Sequence, residues 1–291
     1  MRPTQPLVQH IVSVFKLRIA VVIALSALAG VAVAPGAPLS PAQILVLTVA
    51  VLLSSGAAGA FNQLFERDLD ALMVRTRRRP FASGEWRGGP LWWALILAIL
   101  ALGVGMAGLV LNAATALYLF LGAFTYGVVY TVWLKRRTVW NIVIGGLAGS
   151  FAVLAGAAAV DPSPSAAPLV LAVVLFLWTP PHFWSLALMA KDDYAANGVP
   201  MLPAVKGDAF TAWAILVHAI ALAVLAVVPF FLGMGWIYLA AAVVGGAGFV
   251  RTSLALVRRP SRATAFANFK SSLLQLSLLL VGAMGDAALL G

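Results

Sequence analysis

The residues in this chain best suited to chemistry are acids set beside arginines and lysines. Asn62, Glu66 and Asp70 stand at i, i+4 and i+8 in the run Asn62-Gln-Leu-Phe-Glu66-Arg67-Asp68-Leu-Asp70. On a helix each step of four advances about 40° and rises about 6 Å, so the three side chains share one face. Two carboxylates and an amide, all hard oxygen donors, suit Mg2+, which bridges one or two carboxylates to substrate phosphates. Asp68 points about 200° away from Glu66 and is placed to pair with an arginine instead. Arg75, Arg77, Arg78 and Arg79 follow directly, and a dense arginine group holds phosphate oxygens bidentately. A second set is Lys191-Asp192-Asp193-Tyr194, with Asn197 four residues after Asp193; Gly198 and Pro200 then end the helix. Between the two sets lie Lys135, Arg136 and Arg137, five residues after Tyr130.

Acids, cations and amides gathered on one membrane face describe a metal-diphosphate site whose substrate tail runs into the bilayer. Ionising an allylic diphosphate requires the leaving group to be neutralised by Mg2+ and cations. The resulting carbocation requires a dry cavity with aromatic faces, and Phe61, Phe65, Tyr126, Tyr130 and Trp184 are candidates for its wall. Simpler roles compete. Ion pairing with neighbouring arginines accounts for acid clusters without any metal. Arg77, Arg78 and Arg87 fit topology anchors or lipid-headgroup contacts, and the 258–262 run fits a pure anchor. Among the histidines, His10 reads as interfacial and His218 as a buried, hydrogen-bonded side chain. His182 follows Trp178-Thr179-Pro180-Pro181, where two prolines are expected to kink a helix and open a cavity. Its imidazole either contacts haem iron or satisfies freed backbone groups.

These groups must be carried by membrane helices. Of 291 residues, 63% are hydrophobic, 10% are charged and none is cysteine, against about a quarter charged in a soluble domain. An ordinary soluble protein, a disordered chain and a disulfide scaffold are excluded, as are thiol chemistry and Cys-ligated metal. The net charge of +10 could suggest nucleic acid, but in so apolar a chain it fits basic residues collected on one membrane side. Nine segments suit spans of roughly 20 residues: 17–36, 42–64, 91–111, 114–134, 141–160, 167–188, 211–231, 234–250 and 270–288. Ten-residue blocks of alternating polarity, the mark of a β-barrel, are absent. With the N-terminus inside, all 19 lysines and arginines face one side, while Asp161 and Asp286 face the other. The expectation is an all-α integral membrane protein. It has nine transmembrane helices around a central cavity, a cytoplasmic N-terminus and a single domain over 1–291, placed in a bacterial inner membrane.

The Asn62-to-Asp70 run, the Arg-Thr-x-x-Arg-Pro after it and the second acid set resemble the UbiA superfamily of intramembrane prenyltransferases. Four segments in order, 62–76, 130–149, 178–188 and 191–203, are similar to its haem-farnesylating branch, and the likeness covers about Lys16 to Asp286. The resemblance implies farnesyl diphosphate, Mg2+ and haem b as reactants, with haem O and diphosphate as products and the active site facing the cytoplasm. It implies Asn62, Glu66 and Asp70 as the first metal-diphosphate motif, with Asp192 and Asp193 as the second and Asp193 a metal ligand. Arg75, Arg79, Lys135 and Lys191 would bind diphosphate, and His182 would contact haem. Haem A synthase or terminal-oxidase assembly proteins are implied as partners; nucleic acid is not. Gln63, Ala190 and Tyr194 stand where quinone-precursor enzymes carry further acids, and the haem branch shows the same reductions. Leu17 replaces a proline usual at the entry to the first span. A prenyltransferase of aromatic or quinone precursors and a membrane transporter remain the competing readings.

Overall fold

In the computed structural model, residues 6–163 and 165–290 are described; Arg2, counted above with the basic charges, lies outside them. Among the described residues all regular structure is helical. Eight helices are long and apolar enough to cross a membrane, and a bent pair adds a ninth. Span 1 is Leu17–Val33, preceded by the short helix Leu7–Val14 at an angle of 47°. Spans 2 to 5 are Pro41–Phe65, Pro90–Val110, Ala113–Leu134 and Asn141–Val160. Spans 6 to 9 are Ala166–Met189, Asp208–Phe231, Trp236–Arg258 and Arg262–Leu290. Each consecutive pair packs together and span 9 meets span 1, so the nine close into a ring.

Local chemistry sets the helix ends. Ser40 and Gln43 form a reciprocal capping box at the start of span 2, with Pro41 at the first helical position. The expected boundaries hold to within a few residues, except near the C-terminus. There the 251–270 stretch, expected as a loop, is helical up to Arg258 and again from Arg262. The basic side chains of Arg251 and Arg258 extend span 8 past its apolar part, because long cationic chains reach water from a helix end and suit its C-terminal dipole. Pro260 then stops it. Span 6 is assigned as one helix through Pro180 and Pro181, where a kink was expected. Thr179 donates to the carbonyl of Leu175 and Ser185 to that of Pro181, the kind of hydroxyl support that lets a membrane helix carry proline.

The interior is closed at one end. Spans 1 and 5 cross so tightly that a Cβ on Gly30 would lie 2.1 Å from the carbonyl oxygen of Val153, and one on Gly156 would lie 1.8 Å from that of Ala27. Only glycine permits this backbone contact, the usual way membrane helices pack closely. The crossing lies in the half of the bundle away from the basic residues. The space between spans 1, 2, 4 and 5 therefore opens toward the basic end and is blocked at the far end.

Candidate active site

The first acid set sits where span 2 ends. Span 2 stops at Phe65, Glu66 lies in the break, and a short helix runs from Arg67 to Leu72. The i+4 backbone bonds continue across the break, from Glu66 N–H to the Asn62 carbonyl and from Asp70 N–H to the Glu66 carbonyl. Asn62, Glu66 and Asp70 thus keep the common face expected of them, and all three are buried.

Long-range cations converge on that face. Lys135 Nζ donates to Glu66 Oε2 at 2.5 Å and Arg79 to Asp70 Oδ2 at 2.7 Å. Asn62 Nδ2 donates to the same Glu66 oxygen at 2.7 Å and to Thr131 Oγ1 at 3.0 Å. Glu66 Oε1 is buried without a hydrogen-bond partner. Asp68 faces away and takes a bidentate Arg136, both contacts 2.9 Å, as its angular position required. That guanidinium holds the Asp68 carboxyl below its usual range, and Asp68 in turn raises Arg136.

Lys16, treated above only as a charge, belongs to the cluster. Its Nζ donates to Asn62 Oδ1 at 2.6 Å and to the Tyr126 hydroxyl at 2.7 Å. Its backbone is left-handed, φ 47° and ψ 42°, a conformation that costs a non-glycine residue of order 1–3 kcal/mol and persists where surroundings enforce it. Gln63 helps enforce it by donating to the Ser13 carbonyl at 2.6 Å. Thr131 and Tyr126 join through a π-helical stretch, Thr125–Leu134, at the end of span 4. The π turn shifts register relative to an α-helix. Thr131 Oγ1 meets the Tyr126 carbonyl and Asn62 there, and Lys135 reaches Glu66.

The second set is tied to the first set's loop. Asp193 Oδ1 accepts from the backbone N–H of Val74 at 3.3 Å, and Arg75 donates to the Tyr194 hydroxyl at 3.4 Å. Asp192 is exposed and has no side-chain partner among the described residues. Lys191 turns to Asp208 at 2.8 Å instead of to the first set. No group of three or more His, Cys, Asp or Glu side chains is arranged to hold a metal among the described residues. A cation here would take two carboxylates at most from either set, the amide oxygen of Asn62, and ligands from substrate.

Beyond Lys16 and Tyr126 the site opens into an apolar cavity of about 130 Å³. Gly59, Ala58, Ala123, Ala148 and Phe183 line its upper part, while Val51, Tyr118 and Ala152 line its depth. Tyr130 stacks on Tyr126 with ring centroids 5.6 Å apart, at the basic end. Trp184 corrects the expected wall: it packs among Leu202, Ala212, Ile215 and Leu256, edge-on to His218. One face of span 6 must meet span 7, and Trp184 is on it. His218 is half-buried and donates within its own helix to Ala214. His10 is buried on the short helix before span 1, hydrogen-bonded to Glu85 at 2.7 Å and set edge-on to Trp86.

His182 stands apart from the acids, between Trp178 and Phe269 at 4.3 and 4.7 Å, with Nδ1 2.8 Å from Ser272 Oγ. The Ser272 hydroxyl donates its one proton to the Phe269 carbonyl at 2.7 Å. A proton on Nδ1 of His182 satisfies both Ser272 contacts and leaves a lone pair on Nε2.

A model of the UbiA prenyltransferase family matches residues 4–279. The chain is 56% identical over 279 residues to protoheme IX farnesyltransferase 2 of Paramagnetospirillum magneticum, covering 96% of this chain and 97% of that one. It is 47% identical to protoheme IX farnesyltransferase 1 of the same organism, covering 94% and 97%. Its fold is similar to the solved structure of a UbiA homolog from Archaeoglobus fulgidus bound to DMAPP and Mg2+. The TM-score is 0.75 at 13% identity, covering 96% of this chain and 99% of that one.

Proposed function

The chain belongs to the UbiA prenyltransferase family, and from that premise we propose that it transfers the farnesyl group of farnesyl diphosphate to a vinyl group of protohaem IX. The products are haem O and diphosphate. The observation that carries this reading is the cluster at Asn62, Glu66 and Asp70, buried and with one Glu66 oxygen unpartnered, at the mouth of an apolar cavity. The names of the two Paramagnetospirillum relatives support haem as acceptor. The basic end faces the cytoplasm of a bacterial inner membrane, a reading that the one-sided lysines and arginines support.

The donor set fits Mg2+. A buried carboxylate oxygen without a partner is costly unless a ligand arrives, and Glu66 Oε1 is such an atom. Asn62, Glu66 and Asp70 would hold an ion at the first set and Asp193 would serve one at the second; a bound ion neutralises the diphosphate leaving group. Lys135 and Arg79 now neutralise the acids; with substrate present they turn to phosphate oxygens, joined by Arg75 and Lys16. Lys191 reaches the diphosphate only by leaving Asp208, and Asp192 serves the second motif from the rim. The carbon–oxygen bond of the donor breaks with its electron pair leaving on diphosphate. The face of Tyr126, backed by the stacked Tyr130, stabilises the allylic cation, and the apolar wall keeps water from it. The haem vinyl group forms the new carbon–carbon bond, water adds to the resulting cation, and a proton is released. His182 contacts the haem.

Membranes containing the protein, given labelled farnesyl diphosphate, Mg2+ and either haem b or 4-hydroxybenzoate, test the reading. Label is expected on haem, with the mass of haem O; label on the benzoate alone would overturn it. For His182→Ala the KM for haem is expected to rise about tenfold or more with that for farnesyl diphosphate unchanged. Equal rises in both would remove the haem contact.

A further inference from the structure

The cavity below the acid cluster has a definite depth. Along span 2 it is lined from Gly59 to Val51, and along span 4 from Tyr126 to Tyr118. Eight residues at 1.5 Å each make about 12 Å in both cases. The floor is built, not open. Tyr118 and Ile23 rest on a packed cluster that includes Ala24, Ala27, Val51 and Leu119. Immediately beneath, the crossing of spans 1 and 5 brings backbone against backbone at Ala27 and Gly156. Tyr118 is the largest side chain at that depth, and its ring is braced by Phe151, with centroids 6.3 Å apart and planes at 27°.

An extended chain advances about 1.2 Å per bond, so the twelve-carbon main chain of a farnesyl group is about 13 Å long. One more isoprene unit adds about 5 Å on the same scale. A group anchored by its diphosphate at Lys16 and Asn62 therefore reaches Tyr118 with three isoprene units and collides with it at four. Two units leave the deep end empty, with apolar wall unfilled.

We infer that Tyr118 is the chain-length determinant of this enzyme: its ring, backed by Phe151, forms the floor that selects farnesyl over geranylgeranyl diphosphate. This rests on the farnesyl-transfer reading above. Replacing a phenol ring by a methyl group opens more space than one isoprene unit needs, and the opening extends the cavity in the direction the tail already points. Hydrophobic pockets discriminate weakly against shorter chains but strongly against ones that do not fit, so the change appears first as tolerance of the longer donor.

The experiment compares geranyl, farnesyl and geranylgeranyl diphosphates as donors to haem b, with kcat/KM from the masses of the haem products. Wild type is expected to prefer farnesyl. Tyr118→Ala is expected to raise the geranylgeranyl-to-farnesyl ratio about tenfold or more, and Tyr118→Phe to leave it unchanged. Ala152→Leu, which fills the deep end from span 5, is expected to shift the preference toward geranyl and serves if Tyr118→Ala does not fold. An unchanged ratio in both variants overturns the inference while leaving farnesyl transfer intact. Wild type that transfers no prenyl group to haem fails the functional reading instead. Inhibition by the thiolodiphosphate analogues of the three donors reads the floor without any acceptor, and it must show the same shift.

Discussion

Glu66 and Asp286 are both almost fully excluded from water, 0% and 4% exposed, and they stand at opposite ends of the helix bundle. Asp286 accepts from the backbone N–H groups of Gly235, Ile237 and Tyr238 at 2.5, 3.1 and 3.3 Å. These are the free donors at the start of span 8, where a carboxylate also suits the helix dipole. Glu66 crowds its contacts onto one oxygen and leaves the other with none. The far-end acid is satisfied by backbone alone and joins span 9 to span 8. The basic-end acid is bound by groups that can move, and it has capacity left. Burial of a carboxylate does not by itself mark a site; what marks one is burial with an unfilled valence beside mobile cations.

The largest effect that tests this contrast is at the metal face. Asp70→Ala is expected to lower kcat/KM for haem O formation by about a hundredfold or more, with a normal elution profile in detergent. Full activity in that variant would end the metal-face assignment. Lys135→Ala comes next. Loss of a charge-assisted contact to substrate phosphate corresponds to about tenfold to a hundredfold in kcat/KM, with Lys135→Arg recovering part of it. If Lys135 only neutralises Glu66, the variant melts lower and its kinetics do not change.

The basic-end cluster was legible in sequence as far as its contacts are local. Asn62, Glu66 and Asp70 follow from helical spacing, and Asp68 was correctly separated from them by angle alone. Lys16 was not legible, because its partners lie 46 and 110 residues away and the turn that aims it depends on Gln63. Thr131 was hidden by the π-helical stretch, which the apolar sequence of span 4 does not signal. A lone lysine at the entry to an apolar span was the one available hint. The spans were legible almost in full, since bilayer thickness fixes their length. Trp184 was misplaced because a span apolar on all sides has no pattern showing which face meets the cavity.

At the far end the expectation reverses. Asp286→Ala strands three backbone donors at the start of span 8, one of them buried, which costs about 1–3 kcal/mol, and it should lower the melting temperature in detergent. The kinetic constants of the folded fraction at low temperature should match wild type. Lost activity at unchanged stability would make Asp286 functional and dissolve the distinction between the two acids.

Asp68 supplies the third and weakest case, an acid beside the site, paired with a cation and open to water. Its side chain is 63% exposed and that of Arg136 40%. Arg136 lowers the folded-state pKa of Asp68, so the pair stabilises the protein above the ordinary carboxylate range. That contribution disappears as pH falls through the lowered value. Solvent screening limits it to less than about 1 kcal/mol. Asp68→Asn should therefore melt slightly below wild type at neutral pH and low salt, converge with it in acid, and converge again as salt is added. Its rate of haem O formation should be unchanged. A rate loss comparable to that of Asp70→Ala would mean that acid content, not the shared face of Asn62, Glu66 and Asp70, sets activity; an unchanged rate leaves helical angle as the property that separates neighbouring acids.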